Sequence, residues 1–274
     1  MLTDTNLAFI GGGTMAEAMI RGLLEQSLLP AEAITASGPR PRRGQHLMKQ
    51  YGIHWTESNA ECAAEKAVVV LAVKPQVLPH VLPELAGAIS PDAMVMSIVA
   101  GTRIRTMSRG LGHDAIVRVM PNTPARLAQG ISVWMATEAV TAHQQEQART
   151  VLQALGEELS VDEEDYLDMA TALSGTGPAY IFLFMEAMVD AGVHMGFSRR
   201  VAERLVEQTV LGAAAFAKQS PRHLAELRNM VTSPGGTSAE ALYQLEKGGL
   251  RTVVSRAIWA AYKKSKYLGG LSEQ

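Results

Sequence analysis

Short, almost unbroken apolar runs alternate with amphipathic windows through the first half of the chain. Residues 7–10, 33–36, 67–73, 94–99 and 116–119 predict strands, and runs without polar alternation suit strands covered on both faces of a parallel sheet. Between the first two runs, Ala16, Met19, Ile20, Leu23 and Leu24 recur at helical spacing and mark one apolar face. Alternation of such strands and helices predicts an α/β, doubly wound sheet.

After about residue 160 the strand signal ends, and the pattern is helical over 165–173, 178–195, 198–218, 221–230, 238–247 and 250–268. The acidic run Asp162-Glu163-Glu164-Asp165 marks the change as a solvated helix start and divides the chain into residues 1–162 and 163–274. From Tyr180 to Val189 the single charge is Glu186, so that helix is apolar nearly all round and needs cover on every side. A small helical domain encloses such a helix poorly, and a second copy of the chain is expected to cover it. Residues 169–185 carry no charge, but Ser174-Gly175-Thr176-Gly177-Pro178 is expected to break the helix there and leave neither side able to span a bilayer. No membrane is expected.

Charge narrows the partners. The 274 residues include 25 Lys and Arg against 27 Asp and Glu, a net charge of −2 with no dense basic cluster. Nucleic acid and anionic lipid, which bind through many basic side chains, are therefore not expected, and a small molecule is. A lone cysteine, Cys62, excludes an intrachain disulfide and a thiolate metal cage and suits a reducing, cytoplasmic setting. The first residues show no signal-peptide pattern. The seven histidines lack metal or acid/base spacing, so no metal is expected.

Directly after the first strand, Gly11-Gly12-Gly13-Thr14-Met15-Ala16 fits G-x-G-x-x-A and opens a helix. Gly11 permits the tight turn, Gly13 lets a pyrophosphate reach the backbone, and Ala16 lets helix and strand pack closely. The second strand ends in Ser37-Gly38-Pro39-Arg40-Pro41-Arg42-Arg43, without the acid that binds a free ribose 2′-hydroxyl. Ser37 and the arginines, Arg40 first among them, suit a 2′-phosphate, so NADPH is the expected cofactor, with NADH as the alternative. The competing reading of those arginines is a solvated loop. Lys74, at the carboxyl end of the strand in 67–73, is placed for cofactor phosphate or ribose, and Pro75 for starting the next helix. Ser174-Gly175-Thr176-Gly177-Pro178 and Ser233-Pro234-Gly235-Gly236-Thr237-Ser238 each precede a helix and offer backbone N–H groups to an anion. Taken alone, each is equally explained as an ordinary turn, with Thr237 as an N-cap in a capping box with Glu240.

Five segments together resemble the pyrroline-5-carboxylate reductase family: Ile10 to Met15, Ala72-Val73-Lys74-Pro75-Gln76, Met120-Pro121-Asn122-Thr123-Pro124-Ala125, the 174–180 loop and Val231 to Ser238. The resemblance covers essentially the whole chain. It implies an N-terminal Rossmann-type domain followed by an all-helical C-terminal dimerisation domain, a homodimer, and a decamer of five dimers. It further implies NAD(P)H-dependent reduction of the cyclic imine 1-pyrroline-5-carboxylate to L-proline, the last step of proline biosynthesis. Residue by residue, it places Ile10, Gly11, Gly12, Gly13, Thr14, Met15, Ser37, Asn59, Ala72, Val73, Lys74, Pro75, Ile98, Val99 and Ala100 at the cofactor. Glu164, Ser174, Gly175, Thr176, Gly177, Pro178, Ser233, Gly235 and Gly236 fall at the substrate. On the same resemblance, Thr237 and Ser238 are expected to be the catalytic hydroxyls, with Ser238 bonding the imine nitrogen. The chain departs from the family's usual Thr at Ser238, which keeps the hydroxyl and loses a methyl, and from its common Asn at Thr14. Two rivals stand beside this. A β-hydroxyacid dehydrogenase needs an interdomain lysine, and no lysine lies between Lys74 and Lys218; a non-catalytic NADP sensor has no use for a second anion loop at 233–238.

Overall fold

The computed structural model describes residue 2 and residues 5–271. The chain forms two compact units, one running to Thr176 and taking up the residues from Ala261, the other Gly177–Ala260. The change from strands to helices at 162/163 and this division of packing are different boundaries.

In the first unit, β1 (Leu7–Ile10), β2 (Ile34–Ser37), β3 (His54–Thr56), β4 (Val68–Leu71), β5 (Met94–Ser97), β6 (Ile116–Met120), β7 (Gly130–Ala136) and β8 (Gly156–Ser160) make one sheet. Its order is β3-β2-β1-β4-β5-β6-β7-β8, parallel throughout except for the antiparallel pair β6 and β7. Around it pack α1 (Thr14–Glu25), α2 (Pro41–Tyr51), α3 (Asn59–Ala63), α4 (Leu78–Leu85), α5 (Ile104–Leu111), α6 (Ala142–Gln153) and α7 (Asp165–Ala170). The unbroken apolar strands feed two cores by strict alternation. Leu7, Phe9, Val68, Val70, Met94 and Met96 join the core that includes α1 and α6, while Ala8, Ile10, Val69, Leu71 and Val95 join the one that includes α4 and α5. Each such large side chain stabilises the fold by about 1.5–3 kcal/mol. Close approach also matters: a Cβ on Gly22 of α1 would lie 2.6 Å from Ala154 O, so glycine is what lets the helix lie against that turn.

Three strands, β3, β7 and β8, escape the sequence pattern. β3 has only three residues, and β8, Gly-Glu-Glu-Leu-Ser, is an edge strand whose Glu157 and Leu159 face solvent. Charge on an edge guards its open hydrogen-bonding groups, and it also erases the apolar signature of a strand. Two helix expectations are corrected. α4 begins at Leu78 with Pro79 in its first turn, and Pro75 sits in the preceding turn closed by Val77 N–H to Lys74 O at 2.9 Å. The acidic run is solvated only at Asp162 and Glu163; Glu164 and Asp165 are drawn into ion pairs described below.

The second unit holds α8 (Gly177–His194), α9 (Arg199–Gln219), α10 (Leu224–Met230), α11 (Thr237–Lys247) and the start of α12 (Leu250–Leu271). The glycines and proline at 174–178 do not interrupt the helix as expected. Thr171–Gly175 widens into a π turn, and the helical run Asp165–His194 is long and apolar enough to cross a membrane by length and composition. Nor does α8 find full cover among the described residues, since Ile181, Phe182, Leu183 and Phe184 are 49%, 63%, 67% and 43% exposed. Its packed face is small, with Val189 against Ala202 and Val206 of α9.

Candidate functional site

The strand order turns about β1, with β2 on one side and β4 on the other, so the chains leaving β1 and β4 diverge and open a crevice at the carboxyl edge of the sheet. Open α/β sheets take ligands there. Ile10 ends β1 with its side chain buried. Gly11 follows at φ +99, and a Cβ on it would lie 2.9 Å from Ala72 O. Gly11 and Gly12 N–H both donate to Ser37 O, at 3.1 and 3.0 Å, and a Cβ on Gly12 would lie 2.7 Å from the Trp55 ring. At Gly13 the first atom such a Cβ would meet is Ala72 O at 3.8 Å, which leaves the backbone room for a ligand. Gly13 is the N-cap of α1 without a side-chain cap, so the first-turn N–H groups around Thr14 and Met15, at the positive end of the helix dipole, remain for an anion. This cradle fits a dinucleotide pyrophosphate.

Beside it, Ser37 is fully buried and its Oγ donates to Asn59 Oδ1 at 2.7 Å, while Asn59 Nδ2 donates to Glu84 Oε2 at 2.6 Å. The structure thus joins two of the expected cofactor residues and adds Glu84, which nothing in the local sequence marks. The arginines do not gather as expected. Arg40 is the N-cap of α2, exposed like Arg42. Arg43 instead turns under the glycine loop, with Nε donating to Gly12 O at 2.6 Å and Nη2 to Glu17 Oε2 at 2.6 Å. Burial pushes the Glu17 carboxyl up, but bonds from Arg43, His46 and Tyr51 and the Arg43 charge outweigh it and hold the group down at about 2.

Toward the sheet centre, Met15, Ala72, Val73 and Ile98 line a pocket of about 260 Å³ with Gly175. Its remaining wall is Met120, the last residue of β6, and Pro121, Asn122 and Thr123 of the loop after it, a segment which the sequence flagged as a motif and to which it gave no role. Val99 is buried and Ala100 half-buried behind Ile98, and Lys74 is exposed at the end of β4. A roomier pocket of about 1000 Å³, with Leu2, Leu24 and Pro30 on its wall, includes none of the glycine-loop, β4-end or 174–178 residues that meet at the smaller one. Among the described residues no three His, Cys, Asp or Glu side chains are grouped to hold a metal.

The 174–178 hydroxyls are turned onto their own helix: Ser174 Oγ donates to Ala170 O at 3.0 Å and Thr176 Oγ1 to Thr171 O at 2.6 Å. Gly177 and Pro178 open α8. Glu164 is held by Arg118 Nη1 at 2.6 Å, by the Ile104 N–H at 2.8 Å and by Arg103 at 3.6 Å. Fully buried Asp168 joins them, accepting from Ser265 Oγ at 2.7 Å, and Asp165 pairs with Arg103 and Lys266 at 2.9 and 3.1 Å. Hydrogen bonds from Lys266 and Arg103 hold the Asp165 carboxyl below its usual range.

In the second unit, Gly236 N–H closes a turn on Ser233 O at 3.0 Å around Pro234 and Gly235, whose φ is +68. Gly236, not Thr237, is the N-cap of α11, and no side chain caps it. The capping-box reading of Thr237 is therefore overturned, and the first-turn N–H groups are left for an anion; Thr237 is exposed and Ser238 half-buried.

A family model described as pyrroline-5-carboxylate reductase dimerisation matches residues 164–268, and one described as NADP oxidoreductase, coenzyme F420-dependent, matches residues 6–101. A pyrroline-5-carboxylate reductase of Pseudomonas aeruginosa is 44% identical over 97% of this chain and 98% of its own, and one of Synechocystis is 40% identical over 96% and 98%. Among solved structures, a pyrroline-5-carboxylate reductase of Coxiella burnetii superposes with TM-score 0.89 at 38% identity over 96% of this chain and 98% of that one. A Plasmodium falciparum pyrroline carboxylate reductase with NADP bound gives 0.88 at 32% identity over 97% and 98%. A 3-hydroxyisobutyrate dehydrogenase of Mycobacterium tuberculosis, at 18% identity and TM-score 0.50 over 71% of this chain and 67% of its own, shares the fold alone.

Proposed function

The chain belongs to the pyrroline-5-carboxylate reductase family, and on that premise we propose that it reduces 1-pyrroline-5-carboxylate to L-proline with NADPH, NADH being the alternative donor. The observation that carries the reading is the pocket in which four cofactor-loop residues meet Gly175 of the substrate loop, beside an uncapped glycine-loop helix. Bound there, the reduced nicotinamide supplies a hydride. The backbone around Gly11, Gly12, Gly13, Thr14 and Met15 holds the diphosphate, and Ser37 with Asn59 holds the ribose end. The apolar wall of Met15, Val73, Ile98 and Met120 keeps water from the reacting face. Backbone N–H groups of the 174–178 and 233–238 loops bind the substrate carboxylate, and Ser238 Oγ hydrogen-bonds the imine nitrogen. An imine is already a good hydride acceptor, so most of the rate comes from holding the partners in line.

The second copy that α8 requires is another chain of the same kind. Residues 164–268 carry the dimerisation match, and Phe182 and Leu183 lie open on the helix for such a partner. Five dimers then form a decamer, working in the cytoplasm. Light scattering of the purified protein tests the assembly.

Activity is tested by mixing purified protein with NADPH and pyrroline-5-carboxylate and following absorbance of the reduced cofactor. Oxidation dependent on the imine is expected; its absence leaves a cofactor-binding sensor. Ser238→Ala is expected to lower turnover strongly, and wild-type turnover in that variant removes Ser238 from the mechanism.

A further inference from the structure

The loop after β6 lines the pocket, yet the reading above assigns it nothing. Its central residue, Asn122, uses both ends of its amide. Oδ1 accepts from the Ile131 N–H at 3.0 Å, which ties the loop to the start of β7. Nδ2 donates to Ser174 O at 3.2 Å, inside the π turn Thr171–Gly175. That carbonyl has a particular need for an outside donor. Four positions on stands Pro178, which has no N–H, so the ordinary α-helical bond to Ser174 O is unavailable. One residue further, a Cβ on Gly175 would meet Met120 Cε, the movable end of the side chain that closes β6. The π turn is thus held against the loop by one directed bond, with Gly175 packed beside Met120, and both Asn122 and Gly175 lie on the pocket wall. Single π turns inside α-helices recur at functional sites.

We propose that Asn122 is a positioning residue for this reaction: its amide clamps the π turn of the substrate loop to the β6–β7 loop and so sets the width of the pocket. This rests on the assignment of that pocket to imine reduction. Asn122→Asp isolates the clamp, because a carboxylate still accepts from the Ile131 N–H at nearly unchanged shape but offers Ser174 O no donor. Asn122→Ala removes both bonds.

Two readouts test the proposal. In steady-state assays kcat for the imine is expected to fall by about tenfold or more in Asn122→Asp, while the NADPH Kd, measured by fluorescence of the bound cofactor, stays within about twofold. In hydrogen exchange on the folded protein the Gly175 and Thr176 amides are expected to exchange about tenfold faster in that variant, with the β1 and β4 amides unaltered. A kcat within about twofold of wild type in both variants overturns the proposal, and so does unaltered exchange at Gly175 and Thr176 in Asn122→Asp. Should wild-type protein fail to turn over the imine, the functional reading falls by that result alone. Exchange in Asn122→Asp then still decides the clamp, faster exchange supporting it and unaltered exchange refuting it.

Discussion

Replacing Arg118 with Met removes the most deeply buried cation of the cluster that joins β6 to α7. Arg118, 3% exposed, gives Nη1 to Glu164 at 2.6 Å and reaches Asp168 at 3.4 Å. Arg103, Arg118 and Lys266 balance Glu164, Asp165 and Asp168, so the variant leaves the group one negative charge in excess around a wholly buried carboxylate. Removing one partner of a buried pair costs about 3–5 kcal/mol, because the other is stranded in a medium that solvates it poorly. Here the low end applies. Glu164 keeps the Ile104 N–H at 2.8 Å, and Asp168 keeps Ser265 Oγ at 2.7 Å and Arg103 at 3.5 Å. A loss of about 3 kcal/mol corresponds to a fall in Tm of roughly 6–12 °C for a chain of this size. Urea unfolding and thermal melts at one protein concentration measure it. Adding Asp168→Leu to Arg118→Met is expected to recover part of the loss, since burying neither charge is cheaper than burying one. Stability within 1 kcal/mol of wild type in the single variant would refute the reasoning and reduce the cluster to a surface-type pairing.

Other consequences are read directly from the packing. Cys62 is fully buried, and burial raises its thiol to about 11, so a thiol reagent at neutral pH is expected to label it only as fast as the protein opens. Glu17, held down from 4.5 to about 2, stabilises the fold fully above about 4.5 and loses that contribution as pH falls toward 2; Glu17→Gln is expected to flatten this acid limb in unfolding measured against pH. Gly22→Ala is expected to destabilise by about 1–3 kcal/mol in urea unfolding despite alanine's better helix propensity, because its Cβ would meet the Ala154 carbonyl backbone.

The central strands and the glycine loop were legible because their physics is local. A parallel strand between two helical layers is expected to be apolar, and β1 and β4 are so throughout, β5 up to its last residue, Ser97. A turn at φ +99 against Ala72 O accepts nothing but glycine. What stayed hidden depends on distant partners. Arg43 has the same sequence neighbourhood as Arg40, and only the fold brings Gly12 O and Glu17 to it. Asp165 begins as one of four like charges, and Lys266, about a hundred positions away, decides that it is paired. The π turn was mistaken for a break because glycine and proline signal the loss of α-helical bonds, whereas here the Thr176 N–H reaches one residue further back, to Thr171 O at 2.8 Å.

The same distinction explains why α8 carries so little sequence periodicity. A helix that packs on one face shows a stripe, but successive residues turn by about 100°, so the consecutive Ile181, Phe182, Leu183 and Phe184 point around roughly 300° of the circumference. No single neighbour covers that arc, and within the chain the packed face is limited to the residues around Val189. Cover must come from more than one side, which favours helices of two copies interleaved over a flat contact between two finished surfaces. An apolar helix of this kind is also what a membrane span looks like by composition. What separates the two is the remainder of the unit: α9 and α11 set Arg200, Glu203, Glu207 and Glu240 on exposed positions among apolar ones, a mixture suited to a wet rim around a protein interface and costly in lipid.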